Sequence, residues 1–264
     1  MTCTEFDLLD TEKIQDNLNT KRIGRKVIVY NNTSSTNDIA RRYATDINND
    51  GLAIFTEEQT SGRGRSGNIW HSSRSDSILC SIILNPLNID TELLSLVTAV
   101  AAAEAIGKPG RLHAKIKWPN DIILNNKKVA GILLETISIN HKSVCIIGIG
   151  INCHQKENSF PPDIKNIATS IDIESGSRIE RNALVKRLLT SIDHCYELAQ
   201  HDADSIIRLW KQLSIQLGHR VTLIFNGKKF SGYCLGVDPQ SGLILQLDTG
   251  GIRMFDAAHT TIVK

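Results

Sequence analysis

The sequence predicts an α+β protein: a mixed β-sheet flanked by helices, followed by a small all-β domain that closes as a compact barrel. Two observations carry this. Between Ile116 and Ile151 four β-like runs follow one another without an intervening helix, while the helical stretches are isolated elsewhere, which argues against repeated βαβ units. After Gly218 the chain turns into short β-like runs punctuated by Asn226-Gly227, Ser241-Gly242 and Gly250-Gly251, the dipeptides that favour hairpin turns.

In chain order, residues 1–25 form a polar N-terminal extension with one short helix expected from Asp10 to Leu18. Lys26 to Tyr30 reads as a strand, Asn31 to Ser35 as a turn, and Thr36-Asn37-Asp38 supplies cap candidates for a helix running through Tyr43. Leu52 to Thr56 is a second strand. Ser77 to Leu84 alternates poorly but is rich in Ile and Leu, as in a strand buried on both faces. Leu93 to Ile106 is Ala-rich and apolar, hence a buried helix. Strands follow at Ile116 to Trp118, Ile122 to Leu124, Val129 to Ile139 and Val144 to Ile151, with Asn125-Asn126 as the turn inside the second pair. The polar stretch 155–178, with Pro161-Pro162, reads as an extended surface loop, and helices are expected over Arg181 to His201 and Asp204 to Leu217. The expected divisions are residues 1–25, 26–217 and 218–264.

A chain of 264 residues can bury a sizeable core. Its 30 basic and 28 acidic residues leave a net charge of +2, so nothing global draws it to nucleic acid and any basic site must be local. Cys3, Cys80, Cys145, Cys153, Cys195 and Cys234 lie far apart without Cys-x-x-Cys spacing, the pattern of reduced thiols. The acidic N-terminus is unlike a signal peptide, and no apolar run is long enough to span a bilayer. A soluble cytoplasmic protein is expected.

Polar clusters recur where strands should end. Gln59-Thr-Ser-Gly-Arg-Gly-Arg-Ser-Gly-Asn-Ile-Trp70 joins backbone freedom at Gly62, Gly64 and Gly67 to the planar donor forks of Arg63 and Arg65, with Trp70 able to stack on a base. That composition suits a phosphorylated anion, although Arg-Gly repeats also occur in solvated loops. Ser35-Thr36-Asn37 reads locally as a helix cap. Lys117-Trp118-Pro119-Asn120-Asp121 is either a turn or a pocket edge, and Lys127-Lys128-Val129-Ala130-Gly131 starts from a lysine pair that is ordinarily solvated. Gly148-Ile149-Gly150-Ile151-Asn152 puts two glycines on one face of a strand, leaving room for a flat ligand or for a closely packed helix. No histidine spacing suggests zinc, His194 and His201 merely share a helix, and neither a nucleophile elbow nor a Walker loop occurs.

In order and spacing these five segments, spread over about half the chain, resemble the biotin protein ligase family, the biotin–acetyl-CoA-carboxylase ligases. The matched stretches are Ser35 to Asn37, Gly62 to Trp70, Lys117 to Asp121, Lys128 to Glu135 and Gly148 to Asn152, and the β-rich tail is similar to the family's small SH3-like barrel. The resemblance implies that residues 26–217 are a catalytic domain that activates biotin with ATP and Mg²⁺ as biotinyl-5′-AMP. It then implies transfer of biotin to a lysine of a biotin carboxyl carrier protein, such as that of acetyl-CoA carboxylase. It assigns Ser35, Thr36 and Gln59 to the ureido end of biotin, and Asn37, Gly62, Arg63, Trp118, Lys128, Gly131, Gly148 and Gly150 to the rest of the biotin site. Arg63, Arg65, Trp70, Asn120, Lys128 and Asn152 fall to the adenylate. Catalysis falls to Lys128, Arg63, Arg65 and Asp121, the last to orient the carrier lysine and accept its proton, with a role beside Mg²⁺ or a contact to Lys128 as alternatives. The metal ligands are left unspecified.

The sequence departs from the commonest pattern at Ser66 and Asn68, where many relatives carry basic residues, which weakens the expectation of tight adenylate retention. The short extension is expected not to form the DNA-binding winged helix of some members, so no repressor function is expected. One sheet edge could pair with a second subunit, as a homodimer, or receive the carrier. Competing readings are a lipoate or octanoate ligase or transferase, whose ligand lacks a ureido ring, and a nucleic-acid-binding module, which near-neutral charge and few aromatics disfavour.

Overall fold

The computed structural model describes residues 7–107, 112–139 and 141–263; Cys3 lies outside them. Strands β1 (Val27–Tyr30), β2 (Ala53–Thr56), β3 (Ser77–Leu84), β4 (Lys115–Lys117), β5 (Asp121–Leu124), β6 (Lys127–Ile139) and β7 (Lys142–Asn152) form one sheet in the order β1-β2-β3-β7-β6-β5-β4. Only β1 and β2 run parallel, so the sheet is mixed as expected. The β5–β6 turn uses Asn125 and Asn126 at φ 44° and 65°, the left-handed pair that a two-residue hairpin requires.

Period-two alternation divides this sheet into two faces. Cys80, Ile82 and Leu84 of β3, Ile147, Ile149 and Ile151 of β7, and Ala130 and Ile132 of β6 belong to the main core, with α3 (Thr91–Gly107) and α5 (Arg181–His201). Each buried Ile or Leu contributes about 1.5–3 kcal/mol by leaving water. The intervening residues face the other way. Ile83, Val144 and Ile146 pack with Ala40 and Ala44 at α2 (Thr36–Tyr43). Farther along the same rows stand Leu79 and Ser81, Gly148, Gly150 and Asn152, and Gly131, Leu133 and Glu135. Their register is fixed by the pairs Leu79–Gly150–Gly131 and Ser81–Gly148–Leu133. The start of α2 rests on Ser81 and Gly148, and the rest of that stretch floors the cleft.

Three expectations need correction. The stretch 155–178 is more than a surface loop. It contains α4 (Ile171–Ser175), buries Thr169 and Ser170, and pairs with the start of β6, where the Lys128 N–H donates to the Ile167 carbonyl at 2.7 Å and the Thr169 N–H to the Lys128 carbonyl at 2.9 Å. Polarity misled because its side chains satisfy buried partners. The last helix, α6 (Ala203–Leu213), stops short of Leu217, because the Ile215 N–H donates instead to the Ile116 carbonyl and Gln216 clamps both main-chain groups of Trp118. The N-terminal helix α1 (Thr11–Gln15) is likewise shorter than expected. Asp10 caps its start, and Asn17, at φ 53°, lies beyond its end.

Strands β8 (Arg220–Phe225), β9 (Lys228–Asp238), β10 (Gly242–Leu247), β11 (Ile252–Phe255) and β12 (Thr260–Ile262) form an antiparallel, barrel-like sheet in the order β11-β10-β9-β8-β12. Its interior of Leu223, Leu243, Leu245 and Phe255 joins the main core rather than standing apart. None of the five described cysteines is in a disulfide, and burial pushes the Cys145 and Cys153 thiols up to about 12. Among the described residues no helix is long and apolar enough to cross a membrane.

Candidate active site

The floor of glycines, the α2 terminus, the arginine loop and the barrel's last strand enclose a cleft of about 910 Å³, within the size range of small-ligand sites. The structure brings Ser35, Thr36, Asn37, Gln59, Arg63, Arg65, Trp70, Trp118, Asn120, Asp121, Lys128, Gly131, Gly148, Gly150 and Asn152 together around it. Gly62 lies just behind, in the neck of the loop.

At one end stand the buried, neutral side chains of Ser35, Thr36, Asn37 and Ser81 and the half-buried Gln59, with the Glu135 carboxylate behind Asn37. Ser35 occupies the N-cap position of α2, but its side chain makes no capping hydrogen bond, so the cap reading accounts for its backbone and not for its hydroxyl. Gln59 Oε1 accepts from the Thr36 N–H at 2.8 Å. Ser81 Oγ lies 2.7 Å from Thr36 Oγ1 and 2.5 Å from Asn37 Oδ1, and Asn37 Nδ2 donates to Glu135 Oε2 at 2.9 Å. A Cβ at Gly148 would sit 2.6 Å from Asn37 Oδ1, so glycine there is what lets the α2 amide approach the sheet.

The arginine loop is a small hairpin. The Trp70 N–H donates to the Gly62 carbonyl and the Gly64 N–H to the Asn68 carbonyl, with Ser66 and Gly67 at positive φ in the turn. A Cβ on Gly62 would meet the Trp70 carbonyl at 2.6 Å. The two arginines diverge. Arg63 makes a bidentate pair with Asp38 at 2.7 and 2.9 Å and lies 3.9 Å from Glu135, and its hydrogen bonds hold the Asp38 carboxyl below the usual range. Arg65 crosses the cleft to the barrel, donating to the carbonyls of Ala257 and Thr260 and, at 3.3 Å, to Asn120 Oδ1. Burial lowers its pKa, opposed by Asp121, Glu92 and Asp256, yet a guanidinium stays charged at physiological pH.

Lys128 Nζ pairs with Asp121 at 2.5 Å, both side chains being partly exposed, and stands 5.7 Å from the centre of the Trp70 ring. The Trp70 indole rests on the glycine floor: Cβ atoms at Gly150 and Gly131 would meet it at 2.5 and 3.0 Å. Its Nε1 is buried without a hydrogen-bond partner. The flat group against these glycines is therefore the protein's own tryptophan at Gly150, and the α2 amide at Gly148. Trp118 is a core side chain, 1% exposed, that only borders the cleft. Asn152 is already engaged, donating to the Thr169 carbonyl at 2.9 Å while its Oδ1 accepts from Gln155.

Sequence reasoning missed Asp38, Ser81 and the cleft wall formed by Phe160, Ile164, Ile167 and Thr260 to Ile262. It included Glu135 in a matched segment without giving it a role. Only Asp38 had a local signal, as an acid in the first turn of α2.

A family model described as the biotin/lipoate A/B protein ligase family matches residues 29–152. The bifunctional ligase/repressor BirA of Bacillus subtilis is 32% identical over 253 residues, covering 94% of this chain and 78% of that protein. The biotin–[acetyl-CoA-carboxylase] ligase of Mycobacterium tuberculosis is 27% identical, covering 92% and 91%. Among solved structures, the biotin protein ligase from Aquifex aeolicus in complex with biotin and ATP superposes with a TM-score of 0.79 at 26% identity, covering 91% of this chain and 99% of that one.

Proposed function

This chain belongs to the biotin/lipoate A/B protein ligase family, and on that premise we propose that it is an ATP-dependent biotin–protein ligase. The biotin carboxylate attacks the α-phosphorus of ATP, giving biotinyl-5′-AMP and releasing pyrophosphate. The amine of a carrier-domain lysine then attacks the mixed anhydride, forming the amide and releasing AMP. The observation that carries this reading is that one cleft joins a neutral hydrogen-bonding end to a cationic end. The first suits a buried ureido ring and the second the meeting of a carboxylate with a phosphate.

Thr36, with Ser35, Asn37 and Gln59 around it, binds the ureido group, and the hydrocarbon of biotin lies in the cleft between that end and Lys128. Lys128, held by Asp121, faces the reacting oxygens and stabilises the charge that develops on them in both steps. A guanidinium matched to one carboxylate is matched to another, so Arg63 exchanges Asp38 for the ligand's carboxylate, and Arg65 exchanges main-chain carbonyls for the α-phosphate. Movement of their loop would exclude water from the adenylate. Trp70 offers an aromatic face to the nucleotide, and Asn120 and Asn152, each bonded to a main-chain carbonyl, form the cleft wall around it. Asp121 is also the carboxylate placed to take a proton from the incoming amine. Mg²⁺ supplies charge neutralisation on the nucleotide phosphates. Among the described residues no group of three or more acidic, His or Cys side chains is poised to hold a metal.

The reaction is tested by incubating the protein with ATP, Mg²⁺, labelled biotin and an apo biotin carboxyl carrier domain, with lipoate in a parallel reaction. Label on the carrier from biotin, and none from lipoate, is the expected result; an unlabelled carrier refutes the reading.

A further inference from the structure

The hydrogen atoms at the neutral end of the cleft can be ordered by counting donors. Glu135 Oε2 only accepts, and it already lies 3.5 Å from the Arg41 guanidinium and 3.9 Å from that of Arg63. The Asn37 group 2.9 Å away must therefore be its amide nitrogen, since a flipped amide would set two acceptor oxygens against each other. This turns Asn37 Oδ1 toward Ser81, and at 2.5 Å only the Ser81 hydroxyl proton can fill that gap. Ser81 has no second proton for Thr36 Oγ1, 2.7 Å away. That contact uses the Thr36 proton. Gln59 Oε1 gives up the longer of its two contacts with Thr36, the hydroxyl at 3.2 Å, and keeps the shorter, the Thr36 N–H at 2.8 Å.

We propose that Glu135 is a positioning residue that acts through Asn37 and Ser81 to make the Thr36 hydroxyl a hydrogen-bond acceptor toward the cleft, selecting a ligand that donates an N–H there. This inference rests on the ligase reading of the same site and adds to it a device for specificity. An ordered chain in a buried setting leaves Thr36 with a lone pair and no proton to offer, so a urea N–H is welcomed and an alkyl or carbonyl group leaves that oxygen unpaired. Ser81 is wholly buried and Asn37 nearly so, which keeps water from scrambling the order. The same Glu135 oxygen lies within ion-pair distance of Arg63, tying the polarity of the ureido end to the resting place of the loop arginine.

The test uses biotin-dependent pyrophosphate release by the full chain. Glu135→Gln gives Asn37 a neighbour that can donate as well as accept, so the amide can flip and the order is lost. The expected result is a KM for biotin raised about tenfold, with KM for ATP within about twofold and kcat at saturating biotin within about threefold. Ser81→Ala breaks the same chain without touching the arginines and is expected to give the same split. The double variant is expected to be no worse than the weaker-binding single one, because both remove one device. Thermal unfolding identifies any variant that fails to fold, leaving the other to decide. An unchanged KM for biotin, equal rises in both KM values, or additive effects would overturn the role of Glu135. Absence of biotin-dependent pyrophosphate release by the unaltered protein would instead undo the ligase reading.

Discussion

At the α2 end of the cleft, Ser35, Thr36 and Asn37 are nearly buried and neutral, and Ser81 joins Thr36 to Asn37; at the other end, Lys128 and Asp121 retain 35% and 24% side-chain exposure and are joined by charge. The difference separates two tasks. A neutral group already desolvated by folding contributes through geometry, and its loss leaves a buried partner unpaired at about 1–3 kcal/mol. That penalty applies to ground state and transition state alike, so it belongs to binding. A charge kept near solvent is free to meet the charge that grows during reaction, so its loss belongs to rate.

The largest expected effect tests the charged end. Lys128→Ala is expected to slow adenylate formation about 100-fold or more with little change in KM for biotin, read as pyrophosphate release under single-turnover conditions. A normal rate in that variant would erase the contrast between the ends. Arg65→Ala removes both a phosphate donor and the loop's tie to the Ala257 and Thr260 carbonyls. About a tenfold or greater rise in the rate at which labelled adenylate escapes the protein is expected, measured by filter retention. At the neutral end, Thr36→Val keeps shape and removes the acceptor; KM for biotin should rise about tenfold while kcat holds. Equal losses in kcat would mean that the neutral end also senses the transition state.

Gly148→Ala sets a methyl 2.6 Å from Asn37 Oδ1. It is expected to lower stability by about 1–3 kcal/mol in urea unfolding and to weaken biotin binding in step. The smallest effect lies outside both ends. Burial pushes the His154 imidazole down, but hydrogen bonds to Asp172 and Asp7 outweigh this, and its pKa rises above the ordinary value. Protonated His154 therefore stabilises the fold fully below about pH 6.5, and that contribution fades as pH climbs through the raised native value. The difference in unfolding temperature between the protein and His154→Ala should shrink from pH 6 to pH 9, while the split between KM and kcat at the two ends stays put.

What was legible in the sequence was local. Asn125-Asn126 and Asn226-Gly227 announced their hairpins because left-handed backbone at consecutive residues leaves few side-chain choices. The extents of Ser77–Leu84 and Arg181–His201 emerged from apolar run length and periodicity. The arginine loop could be recognised because its glycines and charges sit within a dozen residues. Asp38 went unassigned because an acid in a first helical turn already has an ordinary explanation.

By itself the sequence determined the strands of the main sheet and the long helices, the mixed sheet with its β-rich tail, and the cast of residues for an anion site, since each depends on backbone preferences and patterns a few residues long. Only the tertiary structure decided which groups meet. Ser81 reaches Asn37 across 44 positions, Asn37 reaches Glu135 across 98, and Arg65 reaches the Ala257 carbonyl across 192. Sheet register places Ser81 beside Gly148, and side-chain alternation turns Glu135 to the cleft face. A one-residue slip would send either side chain to the opposite face, so the contacts that set the polarity of the site arise from register, which no local pattern encodes.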